Sequence, residues 1–391
     1  MSSLLKKLSW QHQQPLFIPC VALLMLGTLM VSSASMGIAE FYTGNPLYFA
    51  TRQIIYMLLG LATLYVVSLI PLKVWKKYDA ILLVFGVIAL ILVFFPGIGH
   101  EVNGSRRWLN LGIIKVQASE IAKLACVLYV SGYLVRRQDE VTQSWAGFFK
   151  PLVIMLFILV LLLLEPDFGA ASVLLGAVMI QLFLGGVKAG QYFLLLFGAL
   201  ISGVITLSFA SYRVARLMSY RDPWAPEHVY GIGYQLTQSL IAFGRGDLFG
   251  VGLGESIQKL FYLPEAHTDF VFAIWAEETG LFGALISLML LAWLLVRIWQ
   301  TSWQSQLRGH MYAAYASAGI ASLFGLQILI NVGVNTGLLP TKGLTLPFYS
   351  YGGSSLLICC GMVAIVMRIA FENQQKDAEK DSSKEGKYAA A

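Results

Sequence analysis

Apolar stretches of about 20 residues, the length that crosses a bilayer as a helix, recur along the whole of this 391-residue chain. Only 12% of its residues are charged, about half the share that a soluble globular protein carries. The sequence therefore predicts an all-α, polytopic integral membrane protein with ten transmembrane helices. The ten spans can be drawn at 15–35, 52–71, 79–96, 117–135, 150–165, 169–187, 190–211, 269–298, 311–332 and 346–370.

Basic residues give this arrangement an orientation. Ten spans place both termini on one side, and many of the basic residues that flank the spans fall on that side. They are Lys6, Lys7, Lys73, Lys76, Lys77, Arg136, Arg137, Lys150, Lys188, Arg297 and Arg308. The positive-inside rule makes that side cytoplasmic. We expect residues 1–371 to form one membrane domain and residues 372–391, which have little to bury, to form a disordered cytoplasmic tail.

The outer face carries basic residues against that rule. It has a short loop at 96–112, a long one at 212–268 and a third segment at 331–355. Its basic residues are Arg106, Arg107, Arg213, Arg216, Arg221, Arg245, Lys259 and Lys342. They suggest an anionic partner at this surface, although long loops also translocate regardless of charge. The net charge of +6 does not indicate nucleic acid, because no helix-turn-helix pattern or basic aromatic platform accompanies it.

Asp269 is the first candidate for chemistry, because it opens the eighth predicted span at the outer face. It could cap the helix, whose first N–H groups favour a carboxylate. The sequence has no capping box to support this role, since Val271 and Phe272 stand where a glutamate or glutamine would be needed. In a partly desolvated pocket Asp269 could instead have a raised pKa and act as a general base. His267, two residues earlier, could orient it, bind substrate or be an ordinary loop histidine.

Other charged residues lie within or beside the apolar spans, where each is costly unless it is paired, wet or functional. Glu120 and Lys123 share one helix face and can form an ion pair, either as a functional group or as a structural clasp. Glu165 and Asp167 flank Pro166 in a tight outer turn, and the turn is a sufficient explanation of both.

The eighth span also carries Glu277 and Glu278, about two turns beyond Asp269. Adjacent helix residues cannot share one face, so at most one of them should point into a central cavity. The glycine-rich stretch 231–256 lacks a Walker or dinucleotide-binding context and is more typical of a re-entrant or surface-lying segment. The five histidines are scattered and the four cysteines lie in apolar stretches, so no tight structural metal site is predicted.

Several longer stretches resemble one protein family. They are NGSRRWLNLG, QASEIAKL, EPDFG, GYQLTQSLIAFGRGDLFGVGLGES, LPEAHTDFVFAIWAEETG and PTKGLTLPFYSYGGSSLL. In this order, and over residues 15–371, they are similar to the shape, elongation, division and sporulation (SEDS) family, most of all to its cell-division branch. One departure is Ala118, where the family usually has proline. The absence of this proline would change the angle at which the fourth helix begins.

The resemblance implies ten helices with a large extracytoplasmic loop between the seventh and eighth. It also implies an inverting peptidoglycan glycosyltransferase that polymerises lipid II outside the cytoplasmic membrane and releases undecaprenyl diphosphate. The family's essential aspartate matches Asp269, and the lysine of its PTKG motif matches Lys342. Its acid and lysine in the fourth helix match Glu120 and Lys123. Topology adds two further candidates for stabilising the leaving diphosphate, Arg107 and Arg213.

The resemblance further implies partners and a location. The partners would be a class B penicillin-binding protein, which cross-links the new glycan, and other divisome proteins, at the division septum of the bacterial inner membrane. A divalent cation, Mg or Mn, could share the charge of the diphosphate, although no ligand cluster demands one.

Two other classes of function stay open. The first is a lipid II flippase or ion-coupled carrier that uses the intramembrane charges as a relay. The second is a noncatalytic divisome scaffold whose loops bind partners. The outer position of Asp269 favours surface chemistry over binding at the membrane midplane.

Overall fold

The computed structural model describes residues 14–102, 105–110, 112, 115–208 and 211–389, and these are mostly helical. The helices before the long outer segment are α1 (Gln14–Thr43), α2 (Tyr48–Leu69), α3 (Leu72–Leu92), α4 (Ala118–Arg136), α5 (Gln138–Gln143), α6 (Trp145–Leu164), α7 (Phe168–Leu184) and α8 (Ala189–Ser208). The later ones are α9 (Ser211–Arg221), α10 (Pro226–Val229), α11 (Tyr234–Gly246), α12 (Val271–Leu307), α13 (Met311–Asn335) and α14 (Gly353–Ala389). A π-helical turn covers Gln258–Tyr262, and the strands are β1 (Gly99–Val102), β2 (Ser105–Asn110) and β3 (Lys115–Gln117).

Each of the ten predicted spans overlaps one of these helices. Seven helices of the described chain are long and apolar enough to cross a bilayer, namely α1, α2, α4, α6, α12, α13 and α14. In addition, α7 and the first part of α8 are apolar but shorter. The start of α3 carries Lys73, Lys76 and Lys77, which leaves it a short apolar part. The prediction of a helical, multi-pass membrane protein is confirmed, whereas the count of ten crossings stays a prediction.

The outer segments hold more regular structure than the sequence predicts. The predicted short loop at 96–112 contributes β1 and β2 to an antiparallel sheet of order β1-β2-β3. The predicted long loop at 212–268 contains most of α9 together with α10 and α11. A hydropathy window of about 19 residues averages over elements this short and so does not detect them.

The C-terminal tail has a helical backbone in the structure. Disorder was expected from residue 372, but α14 continues as one helix to Ala389. The tail is rich in Lys, Glu, Gln and Ala, which are good helix formers. Arg308 and Asp377 form an ion pair of 2.7 Å that ties the start of the tail to the turn after α12. The expectation of a disordered tail stays a prediction.

A break interrupts α12 near its outer end, where Gly280 has a left-handed backbone with φ 67°. The segment 247–252, which follows α11, is inserted at this break, and Leu281 N donates to Asp247 O at 2.9 Å. Such bonds satisfy backbone groups that a helix break frees inside a membrane. Glycine is required here, because a Cβ at position 280 would lie 2.4 Å from Gly250 N.

Small residues let the neighbouring helices approach α13 closely. Its first half, MYAAYASAGIASLF, is buried along almost its whole length. Gln181 of α7 donates to Val127 O of α4 and to Tyr315 O of α13, both at 3.1 Å. A Cβ at Gly319 would lie 2.4 Å from Gln181 Nε2, so this interhelical clasp requires glycine there. Small residues and interhelical hydrogen bonds are ordinary means of association between membrane helices.

Candidate active site

Asp269 lies just outside the membrane-spanning helix. The first residue of α12 is Val271, its N-cap residue is Phe270, and no side chain caps it. A hydrogen bond to the Asp269 carboxylate is absent from the described part of the chain, and the residue is half-buried. The alternative that Asp269 caps the helix does not match this arrangement, which leaves its carboxylate available for another role.

The backbone around Asp269 is held by side chains from two other segments. Asn331 Nδ2 and Asn335 Nδ2 of α13 both donate to the Asp269 carbonyl, at 2.9 and 3.0 Å. Ser350 Oγ donates to the carbonyl of Thr268 at 2.6 Å. A group fixed in this way has little orientational freedom to lose on the way to a reactive geometry.

The two asparagines belong to a polar row on α13 that the sequence-based prediction omits. Gln327, Asn331 and Asn335 recur every four residues and so share one face of the helix. Asn331 also donates to Leu344 O at 2.5 Å, and Gln327 Nε2 donates to Thr345 O at 3.0 Å. The row thus holds the loop before α14 against the start of α12. Polar residues at i, i+4 and i+8 in an apolar span are the signal that could have found it.

The electrostatic surroundings of Asp269 suit a proton acceptor. Burial raises the pKa of its carboxyl to about 7. The negative charge of Glu265 raises that pKa further, the Arg107 guanidinium lowers it, and Asp167 adds a smaller rise. A group whose pKa lies near the working pH is well matched to general acid–base catalysis.

Arg107 is oriented by the turn between α6 and α7. It stands on β2, and its Nε donates to Glu165 O at 3.2 Å while its Nη2 donates to Pro166 O at 2.6 Å. The guanidinium is therefore anchored through backbone groups, and its charge acts on Asp269.

Glu165 differs from the turn residue that the sequence suggested. Its side chain is buried, at 1% exposed, and neither carboxylate oxygen has a hydrogen-bond partner in the described structure. Burial and the charge of Asp167 raise its pKa to about 9, so it is protonated at neutral pH. Asp167 does behave as a turn residue, since its Oδ1 accepts from Ala170 N at 3.1 Å and caps α7. Glu165 differs from Asp167 because it is buried without a partner among the described residues. Local sequence does not predict this difference, because burial depends on tertiary packing.

Lys342 precedes a glycine, Gly343, whose backbone lies beside Asp269. A Cβ at Gly343 would lie 3.0 Å from Asp269 Oδ2, so the loop passes directly beside the carboxylate. Lys342 is half-buried, and burial lowers its pKa. Within the described chain its ammonium has neither a hydrogen bond nor an ion pair. The loop therefore carries a lysine without a partner in the described structure, one residue before the point where its backbone passes Asp269.

His267 packs against aromatic rings and, within the described chain, does not hydrogen-bond to Asp269. Its ring centroid lies 4.9 Å from that of Phe49 and 5.8 Å from that of Tyr351. Its Nδ1 is buried without a hydrogen-bond partner among the residues described, and burial lowers its pKa. The imidazole is therefore neutral at neutral pH. It forms part of a wall near the carboxylate and does not orient it.

Glu120 and Lys123 form the ion pair that their spacing predicts. Lys123 Nζ lies 2.8 Å from Glu120 Oε1, and both residues are buried. Lys123 Nζ also donates to Gln327 Oε1 at 3.0 Å, which connects the pair to the polar row on α13. Within the described structure Glu120 Oε2 has no partner. The contacts on two helices fit a structural clasp, and the unpartnered oxygen leaves a functional role open.

Glu277 and Glu278 both pair with the outer segment that enters the break in α12. Glu278 Oε1 lies 2.7 Å from Lys259 Nζ, and Glu277 Oε2 accepts from Ser256 Oγ at 2.5 Å. Arg245 Nη1 lies 3.3 Å from Glu277. Both acids therefore hold this segment in place. Arg245 and Lys259, counted from the sequence as basic residues that could attract an anionic partner, each pair with one of these acids, Lys259 in a buried position and Arg245 in an exposed one.

The described structure does not show the geometry of three predicted features. The side chain of Arg213 lies outside what the structure describes, as do Lys6 and Lys7. Among the described residues no three His, Cys, Asp or Glu side chains are grouped to hold a metal ion. Magnesium at a substrate phosphate needs only one or two carboxylates, so the Mg or Mn at the diphosphate stays a prediction, and no step of the chemistry is assigned to a metal ion.

The family model for cell cycle proteins named after FtsW, RodA and SpoVE matches residues 14–375. The "probable peptidoglycan glycosyltransferase FtsW" of Coxiella burnetii (strain RSA 493 / Nine Mile phase I) is 49% identical over 367 residues, which cover 94% of this chain and 98% of that protein. The protein of the same name from Pseudomonas fluorescens (strain SBW25) is 48% identical over 360 residues, with 92% and 88% covered.

Solved structures show the same architecture. A chain from a structure described as "Structural coordination of polymerization and crosslinking by a peptidoglycan synthase complex" matches with a TM-score of 0.71 and 26% identity, covering 90% of this chain and 98% of that one. The rod shape determining protein RodA of Thermus thermophilus matches with a TM-score of 0.67 and 26% identity, with 91% and 96% covered. The chain belongs to the FtsW, RodA and SpoVE family of cell cycle proteins.

Proposed function

We propose that this chain is a peptidoglycan glycosyltransferase of the division septum, which polymerises lipid II into glycan strands with inversion and release of undecaprenyl diphosphate. Relatives that are about half identical carry the name peptidoglycan glycosyltransferase, and a structurally similar chain comes from a peptidoglycan synthase complex. One observation carries the proposal. Asp269 has an anchored backbone and a carboxylate with a pKa of about 7 at the outer end of the bundle, within the electrostatic influence of Arg107.

In the proposed reaction the C4 hydroxyl of an acceptor GlcNAc attacks the anomeric carbon of a donor MurNAc. The bond from that carbon to the diphosphate oxygen breaks, and its electron pair leaves with undecaprenyl diphosphate. An alcohol is a weak nucleophile, so a carboxylate that takes its proton during attack contributes typically ~10²–10⁴-fold in rate. Asp269 takes that proton. The bonds from Asn331 and Asn335 to its backbone supply the fixed geometry that this transfer needs.

The departing diphosphate develops negative charge, which preorganised cations stabilise. Arg107 uses Nε and Nη2 on backbone carbonyls, so its Nη1 is the nitrogen we assign to the diphosphate. Lys342 is the second contact, because an anion beside it offsets the burial that lowers its pKa. Lys123 and Arg213 are further candidates, the first from the resemblance and the second from topology.

His267 completes the proposed substrate contacts near the base, and Glu120 is a further candidate that rests on the resemblance. The neutral imidazole, with the rings of Phe49 and Tyr351, forms a wall beside the base that can receive a sugar. Glu120 keeps one oxygen without a partner among the described residues, next to Lys123, and so retains the capacity to accept one hydrogen bond.

We assign the chain to the bacterial inner membrane at the septum, with both termini in the cytoplasm. The basic residues that flank the spans support this orientation. The assigned partner is a class B penicillin-binding protein that cross-links the new glycan, together with other divisome proteins. The match to a chain of a peptidoglycan synthase complex, with a TM-score of 0.71, supports that partner.

The flippase alternative would need the intramembrane charges to face a path for the lipid headgroup. Glu120 and Lys123 are 3% and 2% exposed, and they are bonded to each other and to Gln327. This arrangement favours a static clasp over a relay. Chemistry at the outer surface, around Asp269, therefore accounts for more of the geometry than transport does.

Polymerisation and transport separate in liposomes that contain the purified protein, its penicillin-binding partner and fluorescent lipid II. A glycosyltransferase gives a ladder of glycan chains, whereas a flippase moves lipid II across the bilayer without forming chains. Lys342→Gln should slow chain formation about 10²-fold, because a cation for the leaving group is lost. Lys115→Gln makes the same charge change at an exposed outer position and should leave the rate near that of the wild type. Transport without polymer from the intact complex would refute the proposal.

A further inference from the structure

A cavity of about 380 Å³ lies at the end of the bundle opposite Asp269. Asp269 precedes the first residue of α12, whereas this cavity includes Gly309, just after the last residue of that helix. Apolar walls come from the beginnings of α3 and α13, the end of α4 and the middle of α14. Its polar lining residues include Lys73, Lys76, His310, Tyr312, Glu372 and Lys376.

The lining carries an excess of positive charge. Glu372 is its one acid among the described residues, and its Oε1 accepts from Arg368 Nε at 2.7 Å and from Leu72 N at 2.9 Å. That carboxylate is thus already neutralised by a neighbour on its own helix. Lys73 and Lys76 form no ion pair with any side chain that the structure describes. The cavity therefore has lysine charges that nothing in its lining compensates.

Two hydrogen-bonding groups in the lining point to a ligand. The Tyr312 side chain is 5% exposed, and its hydroxyl has no hydrogen-bond partner in the described structure. A buried hydroxyl that makes no hydrogen bond is costly and calls for an explanation. Lys376 Nζ lies 3.2 Å from His310 Nε2, whose Nδ1 lies 2.8 Å from Asn373 Oδ1. Because an ammonium can only donate, the imidazole Nε2 accepts the hydrogen bond from Lys376. These two hydrogen bonds hold a third lysine at the rim of the cavity.

We propose that this cavity binds a phosphate group between its three lysines and the Tyr312 hydroxyl. Ligand pockets measure roughly 300–1,000 Å³, so this one has room for a headgroup and not for a whole lipid. Its apolar walls and its position among the ends of membrane helices favour the phosphate of an anionic phospholipid. Basic pockets of this kind on the cytoplasmic side bind such headgroups. A soluble phosphate monoester would offer the same group.

The test uses the full chain in detergent, freed of lipid, with phosphatidylglycerol and glycerol 3-phosphate as separate probes and native mass spectrometry as the readout. A lysine near an anionic lipid headgroup contributes about fivefold in binding, so Lys73→Gln with Lys76→Gln should weaken binding roughly 30-fold. The matched control is Lys77→Gln with Lys150→Gln, which removes two exposed lysines that do not line the cavity. Binding to this control should stay within about twofold of the wild type.

Tyr312→Phe removes only the hydroxyl and should weaken binding about 2–10-fold, whatever the lysine variants do to folding. Phosphatidylglycerol binding without glycerol 3-phosphate binding identifies a lipid headgroup as the source, and the converse identifies a soluble monoester. Equal losses in the two lysine pairs would show attraction by general surface charge and overturn the proposal. Failure of both probes to bind the wild type, or full binding by Tyr312→Phe, would overturn it as well.

Discussion

At the scale of single residues, Asp269 shares an unpartnered carboxylate with Glu165 in the described chain and differs in this from the paired acids. Glu120, Glu277 and Glu278 each lie against a cation, and Asp167 caps a helix. In the described chain the carboxylate of Asp269 makes no such bond, although its backbone is anchored twice by asparagines. A general base needs this combination of a fixed position and a free carboxylate.

The pH dependence of polymerisation should follow the pKa of Asp269. Because that pKa is raised to about 7, activity should fall as the pH drops below 7 and the base becomes protonated. Glu265→Gln removes a negative charge that raises this pKa, so the acidic limb of the profile should move to lower pH. Arg107→Gln removes a charge that lowers it, so the limb should move to higher pH. The measurement is kcat/KM for chain formation across the pH range.

Glu255→Gln is the control for these profiles, because it removes an exposed carboxylate elsewhere on the outer segment. Its acidic limb should coincide with that of the wild type. Movement of the Glu265→Gln and Arg107→Gln limbs in the same direction would contradict the assignment of that limb to Asp269.

Sequence patterns were sufficient to select Asp269, since it is an acid at the outer start of an apolar span. They did not separate Glu165 from Asp167, because both suit a tight turn and only packing buries the first. The asparagines that anchor Asp269 carried a usable signal, a polar row at four-residue spacing on α13. Which carbonyl they would bind still depended on the fold.

At the scale of elements, the break in α12 explains the acids that the sequence left unassigned. The span at 269–298 was expected to be one helix, and the chain instead interrupts it at Gly280 to admit the segment 247–252. Glu277 and Glu278 then bind that segment and its continuation. Local sequence could not predict this break, because hydrogen bonds to a segment about 30 residues earlier in the chain complete it.

Two glycines of α11 test how closely the outer segment docks on α12. A Cβ at Gly246 would lie 2.1 Å from Ala276 O, whereas one at Gly244 would meet nothing within 4 Å. Gly246→Ala should therefore cost about 1–3 kcal/mol of unfolding free energy, since the helices must separate. Gly244→Ala should be neutral or stabilising by up to about 1 kcal/mol, because alanine is the better helix former. Thermal melting in detergent measures both, and equal losses would contradict the close approach.

The buried pair of Lys259 and Glu278 provides a second test of this docking. Lys259→Met leaves a buried carboxylate without its cation and should cost about 3–5 kcal/mol of unfolding free energy. Combining it with Glu278→Met should recover much of that loss, because apolar residues can replace a buried pair. Lys150→Met, at an exposed pair with Glu140, should cost less than about 1 kcal/mol. Losses of similar size in the buried and exposed variants would show that the buried pair does not hold the segment.

At the scale of the whole molecule, hydropathy located every long helix, because burial in lipid imposes a run of apolar residues that needs no tertiary information. It did not detect the sheet of β1, β2 and β3 or the helices of the outer segment, which are short and partly polar. The resemblance to a family supplied the chemistry, and the fold supplied the arrangement of Arg107, the asparagines and the loop at Gly343 around Asp269.

The most direct test of the central claim is the rate of glycan-chain formation from labelled lipid II by the purified protein with its penicillin-binding partner. Asp269→Asn keeps the shape of the side chain and removes its basicity, so the account predicts a loss of about 10²–10⁴-fold with the melting temperature unchanged. Asp247→Asn, the same change at an exposed position of the outer segment, should polymerise at the wild-type rate. A folded Asp269→Asn protein that polymerises lipid II as fast as the wild type would contradict the account.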